Sequence, residues 1–84
     1  MKLVFSEQAW TDYLEWQHTD PTVLKRVNQL LRETSRAPFQ GIGKPEPLRH
    51  ALQGWWSRRI DGEHRLVYKV VGDQLWIAQL RYHY

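Results

Sequence analysis

Eighty-four residues suffice for one domain with a single core and little to spare. The chain has no cysteine, which excludes a disulfide framework, a cysteine zinc site and a thiol nucleophile. Twelve Lys and Arg against nine Asp and Glu leave a net charge of +3, and the excess lies wholly in the second half. Residues 1–40 carry five charges of each sign. Residues 41–84 carry seven cations (Lys44, Arg49, Arg58, Arg59, Arg65, Lys69, Arg81) against four acids (Glu46, Asp61, Glu63, Asp73). Such a surface concentrates polyanions, so a nucleic acid is the leading candidate partner. The apolar stretch at residues 1–5 is too short for a signal sequence. No run approaches the ~18–20 apolar residues of a membrane span. The expectation is a single cytoplasmic domain over residues 1–84 with no membrane partner.

Leu3-Val4-Phe5 predicts a short opening strand. Ser6 is placed to cap a helix, and Trp10, Tyr13 and Leu14 continue it at i, i+3, i+4 spacing to about His18. Asp20-Pro21 restarts the chain as cap and first helical residue. Val23, Leu24, Val27, Leu30 and Leu31 then form the apolar stripe of a second helix, which Pro38 ends. Residues 37–48 contain two glycines and three prolines, so no regular element is expected there. Pro45 and Pro47 restrict the backbone of Glu46 from both sides. Four antiparallel strands are predicted beyond, at roughly 48–53, 55–61, 64–71 and 74–82, with a two-residue Gly72-Asp73 turn. That turn pairs Val70 with Leu75 and Tyr68 with Ile77. Leu66, Tyr68, Val70, Leu75 and Ile77 then face the core, while Arg65, Val67 and Lys69 share the other face with Trp76, Leu80, Tyr82 and Tyr84.

Metal-independent cleavage of RNA needs a base for the 2′-hydroxyl proton, cations for the phosphorane and an acid for the 5′-oxygen. It also needs a group that holds the nucleotide in line. Glu46 is a fixed carboxylate, Arg58, Arg59 and Arg65 offer forked donors to phosphate, His83 can give or take a proton near neutral pH, and Tyr84 can stack or donate. Each has a plainer reading as well. Arg58-Arg59 alone suits a solvated strand surface, Glu46 a loop acid pairing Lys44 or Arg49, and His64 a backbone hydrogen bond. Trp56 suits the core, and Trp10 and Trp16 the core or a partner surface. The four histidines form no i, i+4 pair and no acid cluster stands ready for Mg²⁺, so no metal or cofactor is expected. Residue by residue, the chain reads as a basic α+β nucleic-acid module.

Four ordered motifs sharpen this. Gly43-Lys44-Pro45-Glu46-Pro47-Leu48, Gly54-x-Trp56-Ser57-Arg58-Arg59-Ile60, Glu63-His64-Arg65-Leu66-Val67-Tyr68 and the closing His83-Tyr84 together resemble the YoeB family of bacterial toxins. Trp10, Tyr13, Trp16 and the Asn28–Arg36 segment extend the likeness over the whole chain. The resemblance implies a RelE-like α+β fold, with two N-terminal helices packed on a twisted antiparallel β-sheet. It implies ribosome-dependent cleavage of mRNA in the A site of the 70S ribosome. The ends would be a 2′,3′-cyclic or 3′-phosphate and a 5′-hydroxyl. Carried over by position, Glu46 is the general base, His83 the general acid, Arg65 the transition-state cation and Tyr84 the nucleotide-orienting group. Arg49 and Arg59 contact phosphate, with Lys44 and Arg58 as further RNA-binding cations. The implied partners are a YefM-like antitoxin, whose disordered segment folds on binding, and a second copy in a homodimer. The alternative is a non-catalytic basic module that blocks translation without cutting. Arg49 stands where the family often has lysine, Gln53 where serine is common and Ile42 where some relatives are basic.

Overall fold

A computed structural model describes residues 1–82, and two helices cover one face of its five-stranded sheet. The chain runs β1 (Lys2–Phe5), α1 (Glu7–Thr19), α2 (Pro21–Arg36), β2 (Glu46–Pro47), β3 (Trp56–Arg59), β4 (Arg65–Val71) and β5 (Gln74–Gln79). The strand order is β1-β5-β4-β3-β2. β2 to β5 are antiparallel neighbours, whereas β1 lies parallel to β5, so the sheet is mixed rather than antiparallel throughout. Two helices intervene between β1 and the next strand, which frees β1 to take the open edge of β5 in either direction.

The helix boundaries follow their caps. Ser6 accepts from the Ala9 amide, and Asp20 accepts from the amides of Thr22 and Val23 with Pro21 in the first turn. Ala9 and Trp16 of α1 and Val27, Leu30 and Leu31 of α2 close over Leu66, Tyr68, Leu75 and Ile77 of the sheet. The Val70–Leu75 and Tyr68–Ile77 pairs form as expected around Gly72-Asp73. Gly72 has φ of +60° and Asp73 stays at negative φ, the pattern of a type II′ turn.

The expected strand at 48–53 does not form. β2 is only Glu46–Pro47, and His50–Leu52 make one 3₁₀ turn. Pro45 and Pro47 supply no amide hydrogen to a ladder, so pairing to β3 stops after two residues. The last strand ends at Gln79, short of the expected 82. A bulge intervenes at Ala78: Tyr68 pairs with Ile77, and Val67 pairs with Gln79. The Ala78 carbonyl, left out of the ladder, accepts from the Ser6 hydroxyl at 2.7 Å. This extra residue reverses the parity beyond it. Leu80, expected on the outer face, is instead fully buried in the core.

Candidate active site

The outer face of the sheet, away from the helices, brings together two of the four expected catalytic groups, Glu46 and Arg65, with the phosphate-contact residue Arg59. Directly opposed residues share a face, so Glu46, Ser57, Val67 and Gln79 form one row across four strands, and Arg59 and Arg65 form the next. Ser57 and Val67 are 4% and 2% exposed and make the floor of this row. Glu46 stands exposed at its edge. Among the described residues its carboxylate has no hydrogen bond or ion pair, so the expected pairing with Lys44 or Arg49 is absent. Glu46 and its neighbours Pro47, Leu48, Arg49 and His50 line an open depression of about 560 Å³. Lys44, exposed and at φ +51°, turns the chain into β2 just before Glu46.

Arg65 is anchored on one side and free on the other. Its Nη1 donates to the carbonyls of Asp61 (2.7 Å) and His64 (3.0 Å). Its Nε and Nη2 have no partner among the described residues, and neither Arg59 nor Arg65 joins an ion pair there. The turn below it is braced by Asp61, whose Oδ1 accepts from the amides of Glu63 and His64 at 2.8 and 2.7 Å. Partial burial raises the Asp61 carboxyl. The two amide bonds and the nearby His64 and Arg65 charges outweigh it, holding the group below its ordinary value.

Arg58, expected to bind phosphate, belongs to the interior. It is 0% exposed, on the core-facing side of β3. Its guanidinium donates to the carbonyls of Ile42, Ala37 and Gln40 and to the Tyr68 hydroxyl. The Tyr68 hydroxyl in turn donates to the Pro38 carbonyl. Burial pushes the Tyr68 phenol up, with the Arg58 guanidinium pulling partly back. It therefore stays a neutral donor. With four of its five donors used inside the protein, Arg58 stitches the 37–42 loop onto the sheet. Gly43 completes the seam at φ +81°: its carbonyl accepts from the Arg59 amide at 2.7 Å, and an added Cβ would meet Leu30, Arg58 and the Arg59 carbonyl at 3.0–3.2 Å. The clamp thus positions the segment that leads into Glu46.

His83 and Tyr84 lie outside the described residues. The turn that precedes them is held by four groups. Leu80 donates its amide to Asp12 Oδ2 (2.9 Å), and the Leu80 carbonyl accepts from the Trp16 indole (2.9 Å). The Tyr82 amide donates to His64 Nδ1 (2.8 Å), while the Tyr82 carbonyl accepts from the Arg65 amide (3.1 Å). Tyr82 adopts φ +61°, and the Arg81 guanidinium sits 5.3 Å from the Trp16 ring and 4.9 Å from the Tyr82 ring. His64 thus makes the backbone bond expected of it. Trp16 is core with a polar task, and Trp10 is exposed, stacked on Tyr13. Asp12 was not anticipated. Its signal was an acid on the Ala9–Asp12–Trp16 stripe, where an apolar residue belongs, since a carboxylate 3% exposed must have partners.

Two helices on one face of a mixed five-stranded sheet are the architecture of the RelE-like toxins. YafQ from Escherichia coli, 23% identical with a TM-score of 0.72 over 98% of this chain and 92% of that one, shares the fold. The sequence model described as the YoeB-like toxin of bacterial type II toxin–antitoxin systems matches residues 5–84. Toxin YoeB of Escherichia coli K12 is 60% identical over the full length of both chains. Toxin YoeB of Streptomyces coelicolor is 54% identical, again over the full length of both. Among solved structures, a YoeB/ParE toxin from Agrobacterium tumefaciens superposes with a TM-score of 0.97 at 49% identity over all of both chains. The toxin in the heterotetrameric YoeB–YefM complex of Staphylococcus aureus does so at 0.92 and 45%, covering 100% of this chain and 98% of that one. The chain belongs to the YoeB-like toxins of type II toxin–antitoxin systems.

Proposed function

We propose that this toxin is a ribosome-dependent endoribonuclease that cuts mRNA in the A site of the 70S ribosome and so arrests translation in the cytoplasm. The observation that carries the reading is the outer face itself. Among the described residues an unpartnered carboxylate, Glu46, shares it with two arginines, Arg59 and Arg65, that no acid neutralises. A protein that needed these groups only for stability would pair them.

Glu46 takes the proton from the 2′-hydroxyl, and the oxygen attacks the adjacent phosphorus. Arg65, with Nε and Nη2 open, and Arg59 opposite it stabilise the added charge of the phosphorane. His83 returns a proton to the departing 5′-oxygen, and Tyr84 orients the nucleotide. The products are a 2′,3′-cyclic phosphate, or the 3′-phosphate after hydrolysis, and a 5′-hydroxyl. Written this way, proton transfer and charge stabilisation come entirely from side chains, and no metal or cofactor takes part. Arg49 and Lys44 beside Glu46 hold flanking phosphates. A YefM-like antitoxin is the partner that silences the site, by analogy with the Staphylococcus aureus complex, and the YoeB dimer solved from that organism makes self-association the second expected contact.

The test uses programmed 70S ribosomes and end-labelled message, with wild type beside Glu46→Gln and His83→Ala. A ribosome-dependent cut within the A-site codon, slowed about 10²–10⁴-fold in each variant, is the expected result. Blocked translation with intact message would make the protein a non-catalytic inhibitor.

A further inference from the structure

The same outer face carries an aromatic row that the cleavage chemistry does not use. Next to the Glu46–Ser57–Val67 row, and on the side away from Arg65, Trp55 lies against Lys69 with the Lys69 ammonium 5.7 Å from its ring. Lys69 is directly opposite Trp76, and Trp76 directly opposite Val4. Trp76 is 39% exposed, and its indole donates to Gln74 Oε1 at 2.9 Å, which fixes the ring's orientation. Between Trp55, Trp76, Val4 and Ala78 opens an apolar recess of about 200 Å³. That is smaller than the ~300 Å³ at which drug-sized ligand pockets begin, and it suits one planar ring. Successive rows stand about 6.6 Å apart along a strand, so the recess begins one row from Glu46 and two from Arg65.

Charge decides which ring. The strand residues on this face include Lys2, Arg59, Arg65 and Lys69 but only one acid, Glu46, and none of the four cations is in an ion pair among the described residues. An oriented, half-exposed indole beside an ammonium that no acid pairs among the described residues, continuous with a row of arginines likewise without an acid there, is the pattern of a single-strand platform. The base stacks on the ring and its phosphate meets the cation. We propose that Trp55, Lys69 and Trp76 form a stacking subsite for a base of a single-stranded RNA that also crosses Arg59 and Arg65. The inference rests on the RNA reading of the Glu46 face and extends the footprint beyond the bond that is cut.

The experiment measures binding of a short, labelled, single-stranded RNA with every 2′-hydroxyl methylated, so that no cleavage intervenes. Trp76→Ala is expected to bind about tenfold more weakly. Trp76→Phe should recover most of that loss, and Lys69→Gln should lower the slope of log K against log salt by about 0.7. A photoreactive base in the probe should crosslink to the peptide containing Trp55 or Trp76. Wild type and Trp76→Ala binding equally would overturn the subsite while leaving the cleavage reading intact. No binding by wild type at low salt would also overturn it, and the ribosome assay then judges the cleavage reading on its own. If Trp76→Ala instead spares RNA binding but abolishes self-association, the row is a protein contact and the proposal falls.

Discussion

Replacing Arg58 with methionine keeps the buried stem and removes the guanidinium. Three backbone carbonyls, those of Ala37, Gln40 and Ile42, lose their donor, and Tyr68 loses a hydrogen-bond partner. A hydrogen bond to a charged group is worth roughly 1.5–3 kcal/mol net, so the simple sum would approach the whole stability of a domain this size. The sum overshoots, because Phe39, Gln40 and Gly41 are exposed and the freed loop can offer its carbonyls to water. The expected cost is therefore about 3 kcal/mol, or a drop in Tm of roughly 12–24 °C. Urea unfolding gives the first number and a thermal scan the second. Native-state hydrogen exchange should show faster exchange across residues 39–43 than in β4. Arg58→Lys should fall between wild type and Arg58→Met, since a single ammonium cannot span acceptors that a planar fork reaches together. If Arg58→Met unfolds within about 0.5 kcal/mol of wild type, the loop is held by something else and the clamp has no energetic weight.

Two further outcomes follow from the turns around Arg65. Because the Asp61 carboxyl lies below its ordinary value of 3.8, its contribution to stability is fully present above that value and is lost as pH falls through the lower, folded one. Asp61→Asn should therefore flatten the acid limb of a stability–pH curve in that window, and an unchanged limb would remove Asp61 from the account. His64→Phe deletes the acceptor of the Tyr82 amide and should cost about 1 kcal/mol. It should reduce ribosome-dependent cleavage by more than that stability loss explains, with kcat falling and KM little changed. His64→Asn, which restores an acceptor, should recover part of the rate. Equal losses in stability and rate would make His64 merely structural.

The helices and the β4–β5 hairpin were legible because their information is local. Caps, i, i+3, i+4 stripes and a two-residue glycine turn each constrain neighbours in sequence. What escaped the sequence depends on distant partners. The place of β1 depends on which edge β5 leaves open, and no residue near β1 fixes its parallel direction. The bulge at Ala78 is stabilised by a hydroxyl 72 positions away, so nothing near Ala78 announces it, and Leu80 was put on the wrong face as a result. Pro45 and Pro47 stiffen Glu46 but also leave gaps in the ladder, so pairing is confined to Glu46–Pro47 and the strand expected at 48–53 does not form. Glu46 and Arg65 received their roles through the family resemblance rather than from local pattern, and the strand register places both on the outer face. The supporting groups Asp12 and Trp16 act through Leu80, a contact that only the folded chain makes.

The adjacent arginines of β3 have opposite effects on stability. Alternation sends Arg58 inward, where folding is possible only because four of its five guanidinium donors are bonded. It sends Arg59 outward, directly opposite Arg65. Like charges facing each other across a ladder cost a few tenths to about 1 kcal/mol, and no nearby acid relieves this pair among the described residues. An acid at either position would remove the repulsion, yet it would also remove the positive field of this face. The same strand therefore carries a cation that stabilises the fold and one that works against it. The second is expected where the sheet meets a polyanion, because bound phosphate converts the repulsion into affinity. Arg58 offers no such exchange, since its charge is already spent on the loop that leads to Glu46.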